Sequence, residues 1–311
     1  MKNDLHFQLV DAFTQSAYAG NVAGVVFDAD GLTDRQMQLI AAEFNASETT
    51  FVLKPSGPEA FVRFRWFTPG CEVKFCGHAT LGAVHALLDE DRLPRDLSKP
   101  GAILPIETRS GVLAVRIESS SDPAQPRIIW LDTPHNEPKA TPVNLPPLLK
   151  HLGITMDMID DRFKPIRTND DDVMFAVKSL HALLEMRPSM SGLVEYAQRA
   201  GGLRGSFVTS LETLSAATLV QSRFFAPMAG IDEDPVTGSA HGPLGLNLVN
   251  CGLAPLIDGR ADFWCAQGKA GGRAGLVRVV VEKKAGEPSR VRVGGCCVTS
   301  ASGTLECLPR E

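Results

Sequence analysis

The chain carries a glutamate, Glu48, at the point where a helical pattern gives way to a β-branched run, in Ala46-Ser47-Glu48-Thr49-Thr50-Phe51-Val52. A carboxylate there, shielded by apolar neighbours such as Phe51, is expected to have its pKa lifted toward neutrality, which suits it to take a proton from carbon. The ordinary alternative is a solvated loop glutamate. Three more polar groups stand beside glycines that open helical patterns: His78 follows Gly77, and Asp234 and Ser239 flank Gly238. A histidine at a helix N-terminus feels the positive end of the dipole and is expected to stay neutral, giving or taking a hydrogen bond without carrying charge. Ser239 is expected to cap its helix with the hydroxyl turned to a ligand, and Asp234 to stand in the turn before Pro235. A plain cap and a plain turn residue are the alternatives. Cys76 precedes the first glycine, and its counterpart in the second stretch is Thr237. A threonine hydroxyl cannot serve as the base for a carbon acid at neutral pH, so a proton relay between two cysteines is excluded and Cys76 is expected to be a packed small residue.

These groups lie on a pattern that occurs twice. Arg65-Trp66-Phe67-Thr68-Pro69 returns as Arg223-Phe224-Phe225-Ala226-Pro227. The stretches that follow, Glu72 to Ala79 (EVKFCGHA) and Glu233 to Ala240 (EDPVTGSA), align without a gap 161 residues apart, while the arginines lie 158 apart, so the second copy has a three-residue insertion. Each copy reads as an extended aromatic segment, a turn and a glycine-led helix, over Ala79 to Leu88 and Ala240 to Val249. Two related halves are implied. Two such helix N-termini, each with unpaired N–H groups and a partial positive charge, can form a socket for a small anion such as a carboxylate. Two buried helices with tight glycine starts would give the same letters.

The elements that must position these groups are legible in outline. Phe7 to Phe13 and Gly24 to Phe27 read as strands flanking the loop that ends at Gly20-Asn21. Thr33 with Gln36 three residues on forms a capping box for a helix whose inner face is Met37, Ile40, Ala41 and Phe44, ending near Asn45. Val112 to Ile117 alternates as a strand and Arg127 to Leu131 resumes one. Between them Glu118 to Pro126 (ESSSDPAQP) is polar, proline-bearing and without apolar period, the best linker candidate. In the second half, Asn144-Leu145-Pro146-Pro147 opens a helix, Ser179 to Met186 forms another that stops before Pro188, and Leu193 to Ala200 ends at Gly201-Gly202. Strands are expected at Ser206 to Thr209, Leu219 to Phe225, Leu276 to Glu282 and Arg290 to Val293. This order lacks a regular βαβ alternation, so an α+β domain pair fits better than a doubly wound sheet. The expected division is 1–120 and 121–311, with room for the last strand to return to the first lobe.

Composition bounds the function. With 311 residues, 44% hydrophobic and 22% charged, the chain has core enough for about two domains. A net charge of −5 without a dense Lys/Arg run makes nucleic acid and anionic membrane poor partners. No leader or spanning segment is read, and a cytoplasmic protein is expected. Seven cysteines, an odd number in a large chain, suggest no disulfide framework. No Cys/His cluster stands at zinc spacing, so no metal is expected, and Cys296-Cys297 are expected on opposite faces of a strand.

Taken together, Gly20-Asn21, the stretch Phe44 to Val52, Arg65 to Pro69, Glu72-Val73, Cys76-Gly77-His78-Ala79-Thr80-Leu81-Gly82 and Asp234-Pro235-Val236-Thr237-Gly238-Ser239-Ala240-His241 resemble the phenazine-biosynthesis (PhzF-like) isomerase family. The motifs run in family order from residue 11 to residue 245. The resemblance implies a diaminopimelate-epimerase-like fold of two similar lobes, each a curved, mostly antiparallel sheet around a central helix, with the site in the cleft between them. It implies a cofactor-free isomerase, usually a homodimer. The founding activity of that family is isomerisation of trans-2,3-dihydro-3-hydroxyanthranilate, in which a glutamate moves a proton from one ring carbon to another. Glu48 matches that glutamate; His78, Asp234 and Ser239 match residues around the substrate, and Gly77 and Gly238 the glycines whose backbone borders it. Asn21 and Ser47 complete the substrate-binding candidates. The chain departs from the family at Gly20-Asn21-Val22 and Glu72-Val73-Lys74, where proline is common in the third place, and at Gly242-Pro243-Leu244-Gly245, where bulkier residues are expected. These changes leave the acid/base groups intact and alter the nearby backbone and pocket, so membership does not fix the substrate.

The resulting expectation is a cofactor-independent isomerase of a small carboxylated substrate, with Glu48 shuttling the proton. An epimerase or racemase using Glu48 and a second non-thiol base, and a metabolite-binding protein without turnover, are the rivals.

Overall fold

Residues 5–99, 101–118, 126–133, 136–139, 142–269 and 272–309 are described by the computed structural model. They begin with β1 (Leu5–Ala12) and β2 (Asn21–Val26), then α1 (Asp34–Phe44), β3 (Glu48–Leu53), β4 (Val62–Phe67), β5 (Glu72–Val73), α2 (Gly77–Asp89), β6 (Ile103–Thr108), β7 (Gly111–Glu118) and β8 (Ile128–Asp132). The sheet is mixed. β2 runs parallel to β3, β3 antiparallel to β4, β4 parallel to β6, and β6 antiparallel to β7, with the short β5 folded back on β4. Helix α2 is mostly apolar or small apart from His78, His85 and Asp89, and Ala79, Leu81, Ala83, Val84 and Ala86 are fully buried. A helix this apolar has to be largely enclosed, which places it in the interior of this unit. It starts two residues earlier than its apolar run suggests, at Gly77 itself.

Helix α1 has the expected capping box, with the Thr33 side chain accepting from the Gln36 N–H and the Gln36 side chain accepting from the Thr33 N–H. It ends where Asn45 takes a left-handed conformation (φ 49°), a turn that asparagine tolerates. That turn delivers the chain into β3 with Glu48 as its first residue. Gly24 of β2 has no room for a side chain, since a Cβ there would lie 2.8 Å from both Phe44 Cδ2 and Thr49 Oγ1. The glycine thus lets α1 and β3 close onto β2.

The second unit holds α3 (Leu145–Leu152), β9 (Ile166–Arg167), β10 (Asp172–Val177), α4 (Leu180–Leu184), α5 (Met190–Arg199), β11 (Gly205–Ser210), β12 (Val220–Ala226), β13 (Ile231–Asp234), α6 (Gly238–Asn250), β14 (Arg260–Gly268), β15 (Ala274–Glu282) and β16 (Arg290–Gly295). β10 runs parallel to β11, β11 antiparallel to β12, β12 parallel to β14, and β14 antiparallel to β15, with β13 folded back on β12. Leu148, Leu149 and Leu152 of α3 and Leu193 of α5 pack with Phe175, Val177, Val208 and Phe225 from the strands. Helix α6 is enclosed like α2, with Ala240, Leu244, Leu246 and Leu248 fully buried. The small stretch Gly242 to Gly245 has a packing cause. A Cβ on Gly242 would meet Asn136 Oδ1 at 2.2 Å, and one on Gly245 would meet Val279 Cγ1 at 2.4 Å.

The last strand, β17 (Cys297–Leu305), pairs antiparallel with β1. By their internal contacts the residues divide as Met1–Leu131 with Gly294–Glu311, and Asp132–Val293. The chain therefore changes unit within β8, while the expected boundary at 120/121 and most of the expected linker fall on residues 119–125, outside the described residues. Cys296 lies between β16 and β17, so Cys296 and Cys297 do not alternate on one strand as expected. No helix among the described residues is long and apolar enough to cross a membrane.

Candidate active site

Strand β3 and the first turn of α2 bring three of the chemistry-bearing side chains together. Glu48 and Thr50 stand two residues apart and so share a face of β3. The Thr50 hydroxyl donates to the Ala79 carbonyl at 3.1 Å, which fixes that face against the opening of α2. Thr80 in turn donates from its hydroxyl to the Cys76 carbonyl at 2.6 Å, tightening the first turn. Glu48 Oε2 then lies 3.1 Å from His78 Nε2, and His78 Nδ1 lies 3.4 Å from Cys76 Sγ. Cys76 and His78 are buried, 8% and 7% exposed. The Glu48–His78 contact is close yet out of line: neither Oε2 nor Nε2 has a well-directed hydrogen bond, so the attraction is that of an ion pair.

The charges of this trio reverse two expectations. Burial pushes the Glu48 carboxyl up, as anticipated, but the charge and hydrogen-bonding groups of His78, with Cys76, outweigh it and hold Glu48 below the usual carboxylate range. Burial works against a charge on His78, but the Cys76 sulfur and the Glu48 carboxylate outweigh it and hold its pKa well above the ordinary imidazole value. Burial also raises the Cys76 thiol above its usual range, against the lowering effect of the neighbouring His78. These directions favour a Glu48 carboxylate beside a charged His78. The helix dipole, worth about 1 kcal/mol at most in an exposed site, loses to a full charge 3.1 Å away. Cys76 is no mere filler, since its sulfur contacts the imidazole. Glu48, Cys76 and His78 also place one potential metal-ligating atom each within 4.8 Å of one another, which the cysteine spacing did not disclose because Glu48 comes from another element.

Asn21 and Ser47 meet beside this trio, the Ser47 hydroxyl donating to Asn21 Oδ1 at 2.9 Å. Gly77 needs no glycine for packing inside its unit, because a Cβ there would find nothing nearer than Leu131 Cδ1 at 3.8 Å.

In the second unit, Asp234 ends β13 and Thr237 caps α6, correcting the expectation that Ser239 is the cap; Ser239 is the second residue of the helix. The Thr237 hydroxyl donates to Asp234 Oδ2. Gln267, fully buried on β14, locks the turn: its Oε1 accepts from the Thr237 N–H at 2.9 Å, and its Nε2 donates to the Asp234 carbonyl at 2.8 Å and to Thr237 Oγ1 at 3.0 Å. Sequence reading missed Gln267 because it missed β14, whose hint was the alternation Ala261, Phe263, Cys265 ending at Gly268. It also missed the buried Asp172, which binds the Arg204 guanidinium through both oxygens. Arg204 lies over the Phe224 ring at 5.5 Å and reaches Ser239 Oγ only at 3.4 Å. His241, one turn into α6, donates from Nδ1 to the Thr237 carbonyl at 2.8 Å, and burial lowers its pKa to about 4, so it is neutral.

Comparison with known proteins follows this geometry. The family described as phenazine biosynthesis-like protein matches residues 10–303. An uncharacterized isomerase of Clostridium acetobutylicum is 36% identical over 300 residues, covering 93% of this chain and 94% of its own. The trans-2,3-dihydro-3-hydroxyanthranilate isomerase of Pseudomonas chlororaphis is 33% identical over 307 residues, covering 96% of this chain and 99% of its own. A crystal structure of a PhzF-family phenazine biosynthesis protein from Bacillus anthracis superposes with a TM-score of 0.85 at 28% identity, covering 97% of this chain and 99% of that one.

Proposed function

The chain belongs to the phenazine biosynthesis-like protein family and is an isomerase, and from that premise we propose that Glu48 moves a proton between carbons of a small carboxylated substrate. The observation that carries this reading is the buried Glu48–His78 ion pair at the opening of α2. A carboxylate held below its usual range is a weak base for a carbon acid, so the resting pair has to be disturbed before proton transfer. A substrate carboxylate or developing enolate does this by drawing the His78 charge onto itself. Glu48, still shielded from water, then regains the basicity that burial alone would give it. The proton leaves one substrate carbon for Glu48 and returns from Glu48 to another, so no external acid or base is consumed.

The N–H groups at the opening of α2 bind the substrate's negative charge, which explains a glycine at 77 that packing inside the unit does not require. A preorganised donor of this kind contributes about 3 kcal/mol of transition-state stabilisation. Asn21 and Ser47 line the same end of β3. Within the second unit, Thr237 and Gln267 hold Asp234 at the entry to α6, beside Gly238 and Ser239. A common origin for the two units is supported by their pairings: parallel, antiparallel, parallel, antiparallel through β2-β3-β4-β6-β7 and again through β10-β11-β12-β14-β15.

Small amino and hydroxy acids of rising ring and chain size, offered in deuterium oxide, test the reading. Exchange of carbon-bound hydrogen in wild type and its loss in Glu48→Gln is the expected result. Saturable binding without exchange would leave a metabolite-binding protein instead.

A further inference from the structure

We propose that Glu48, Cys76 and His78 form a binding site for one zinc-type divalent cation, and that the cation switches the isomerase off by occupying its acid/base group. The inhibition rests on the function proposed above; the binding does not.

The donor set comes first. One thiol, one imidazole and one carboxylate each offer a ligand atom, all within 4.8 Å of one another. Bond lengths of about 2.3 Å to sulfur and about 2.0 Å to nitrogen or oxygen make the edge of a tetrahedral zinc site about 3.5 Å. Cys76 Sγ and His78 Nδ1 already stand 3.4 Å apart, so that edge is built. Glu48 has only to bring an oxygen round from the other side of the ring, where its contact with Nε2 is out of line and holds it loosely. Three protein ligands with a fourth position open is the arrangement of an accessible zinc site rather than of a closed structural one.

His78 Nε2 and Glu48 Oε2 are buried without a well-directed hydrogen bond, and buried polar atoms in that condition call for a partner. Substrate is one such partner, and for Glu48 Oε2 a cation is another. On binding, a metal–sulfur bond replaces the S–H bond and the thiol proton passes to solvent; imidazole binds in its neutral form, and its proton leaves in the same way. No electron changes hands. The positive end of the α2 dipole opposes a cation by about 1 kcal/mol or less, small beside the affinity of a thiolate-containing site. Thiolate and imidazole favour zinc over magnesium and calcium, which prefer oxygen donors.

The test uses the full chain, stripped with chelator. Zinc binding is read by competition with a chromogenic chelator, and cobalt binding by the visible bands and thiolate charge-transfer absorption of tetrahedral Co²⁺. Exposed Cys71 and Cys307 can also hold metal, so the measurement is repeated in Cys71→Ser/Cys307→Ser. The expected result is one equivalent bound in wild type and in that double variant. Affinity falls at least about a hundredfold in Cys76→Ser and in His78→Gln, the upper end of what losing even an outer-shell partner costs. Near-ultraviolet circular dichroism verifies folding, and Cys76→Ala replaces Cys76→Ser if the serine variant unfolds. Equal binding in wild type and the Cys76 variants, or none in wild type, overturns the site. Zinc should abolish turnover reversibly while magnesium and calcium leave it unchanged; stoichiometric zinc with full turnover overturns the inhibition. If zinc binds as expected but Glu48→Gln still turns over, the metal site stands and the proton-transfer role of Glu48 fails.

Discussion

Glu48 and His78 form a buried ion pair 3.1 Å apart, and the consequence is testable by charge removal. Glu48→Gln keeps the size and most of the hydrogen bonding but cannot accept the proton. Turnover should disappear while ligand affinity changes by less than about tenfold. Steady-state kinetics with a binding titration checks this, and activity within a few-fold of wild type would remove Glu48 from the mechanism. Cys76→Ser should retain substantial turnover in metal-free buffer, because a serine hydroxyl can replace the thiol beside His78 and Glu48 while Glu48 still carries the proton. The pair also sets a pH window. Glu48, depressed in the folded protein, adds stability that is present above its unfolded pKa and lost as pH falls through the folded value. His78, raised, adds stability that is complete below its unfolded pKa and lost as pH rises through the folded one. Their joint contribution should therefore be greatest between the ordinary values of 4.5 and 6.5 and fade on either side. Thermal unfolding of wild type against His78→Gln should show the largest gap in that interval and a shrinking one in alkali.

At the scale of elements, the site depends on close approaches that side-chain bulk would break. Gly24→Ala should destabilise the protein by about 1–3 kcal/mol, since β2 cannot accept a Cβ against Phe44 and Thr49 without shifting α1 and β3. Gly77→Ala makes the opposite prediction. Its Cβ has room within the unit, so unfolding should be nearly unchanged while substrate affinity or turnover drops at least about tenfold, because a methyl group would cover the N–H groups that bind charge. Parallel denaturation and kinetics on the two variants separate a packing glycine from a binding one. A Gly77→Ala protein with normal kinetics would end the proposed role of that helix opening.

Across the whole molecule, each unit carries the same clamp. Arg65 grips Glu72 with Nε and Nη2, both at 2.8 Å, and Arg223 grips Glu233 at 2.7 and 2.8 Å. Arg223 is 2% exposed and also donates to the Leu183 and Met186 carbonyls. Its removal would strand those acceptors and leave Glu233, among the described residues, with only Lys269 at 3.9 Å, and Arg223→Ala should cost about 3 kcal/mol. Arg65 pairs partly with the exposed Asp34 and shares Glu72 with Arg109, so Arg65→Ala should cost less. Chemical denaturation of the two variants checks the order.

The sequence by itself determined the strand and helix periods, the repeated Arg-to-Gly-x-Ala pattern, the capping box at Thr33 and the helices led by Gly77 and Gly238, because these depend on residue type at short spacing. Tertiary structure alone decided the charges. Glu48 and His78 lie thirty residues apart in the chain, and only the pairing of β2 with β3, together with the Thr50 bond to Ala79, brings their charges 3.1 Å from each other. A burial argument for Glu48 and a helix-dipole argument for His78, each applied to one residue alone, gave a raised Glu48 and a neutral His78. Desolvation acts on one group at a time, whereas a close opposite charge acts on both, and at this distance the charge prevails. Gln267 and Arg204 escaped notice for a related reason: their partners Thr237 and Asp172 are about thirty residues away in sequence, and the strands that join them are set by long-range pairing that no local pattern records.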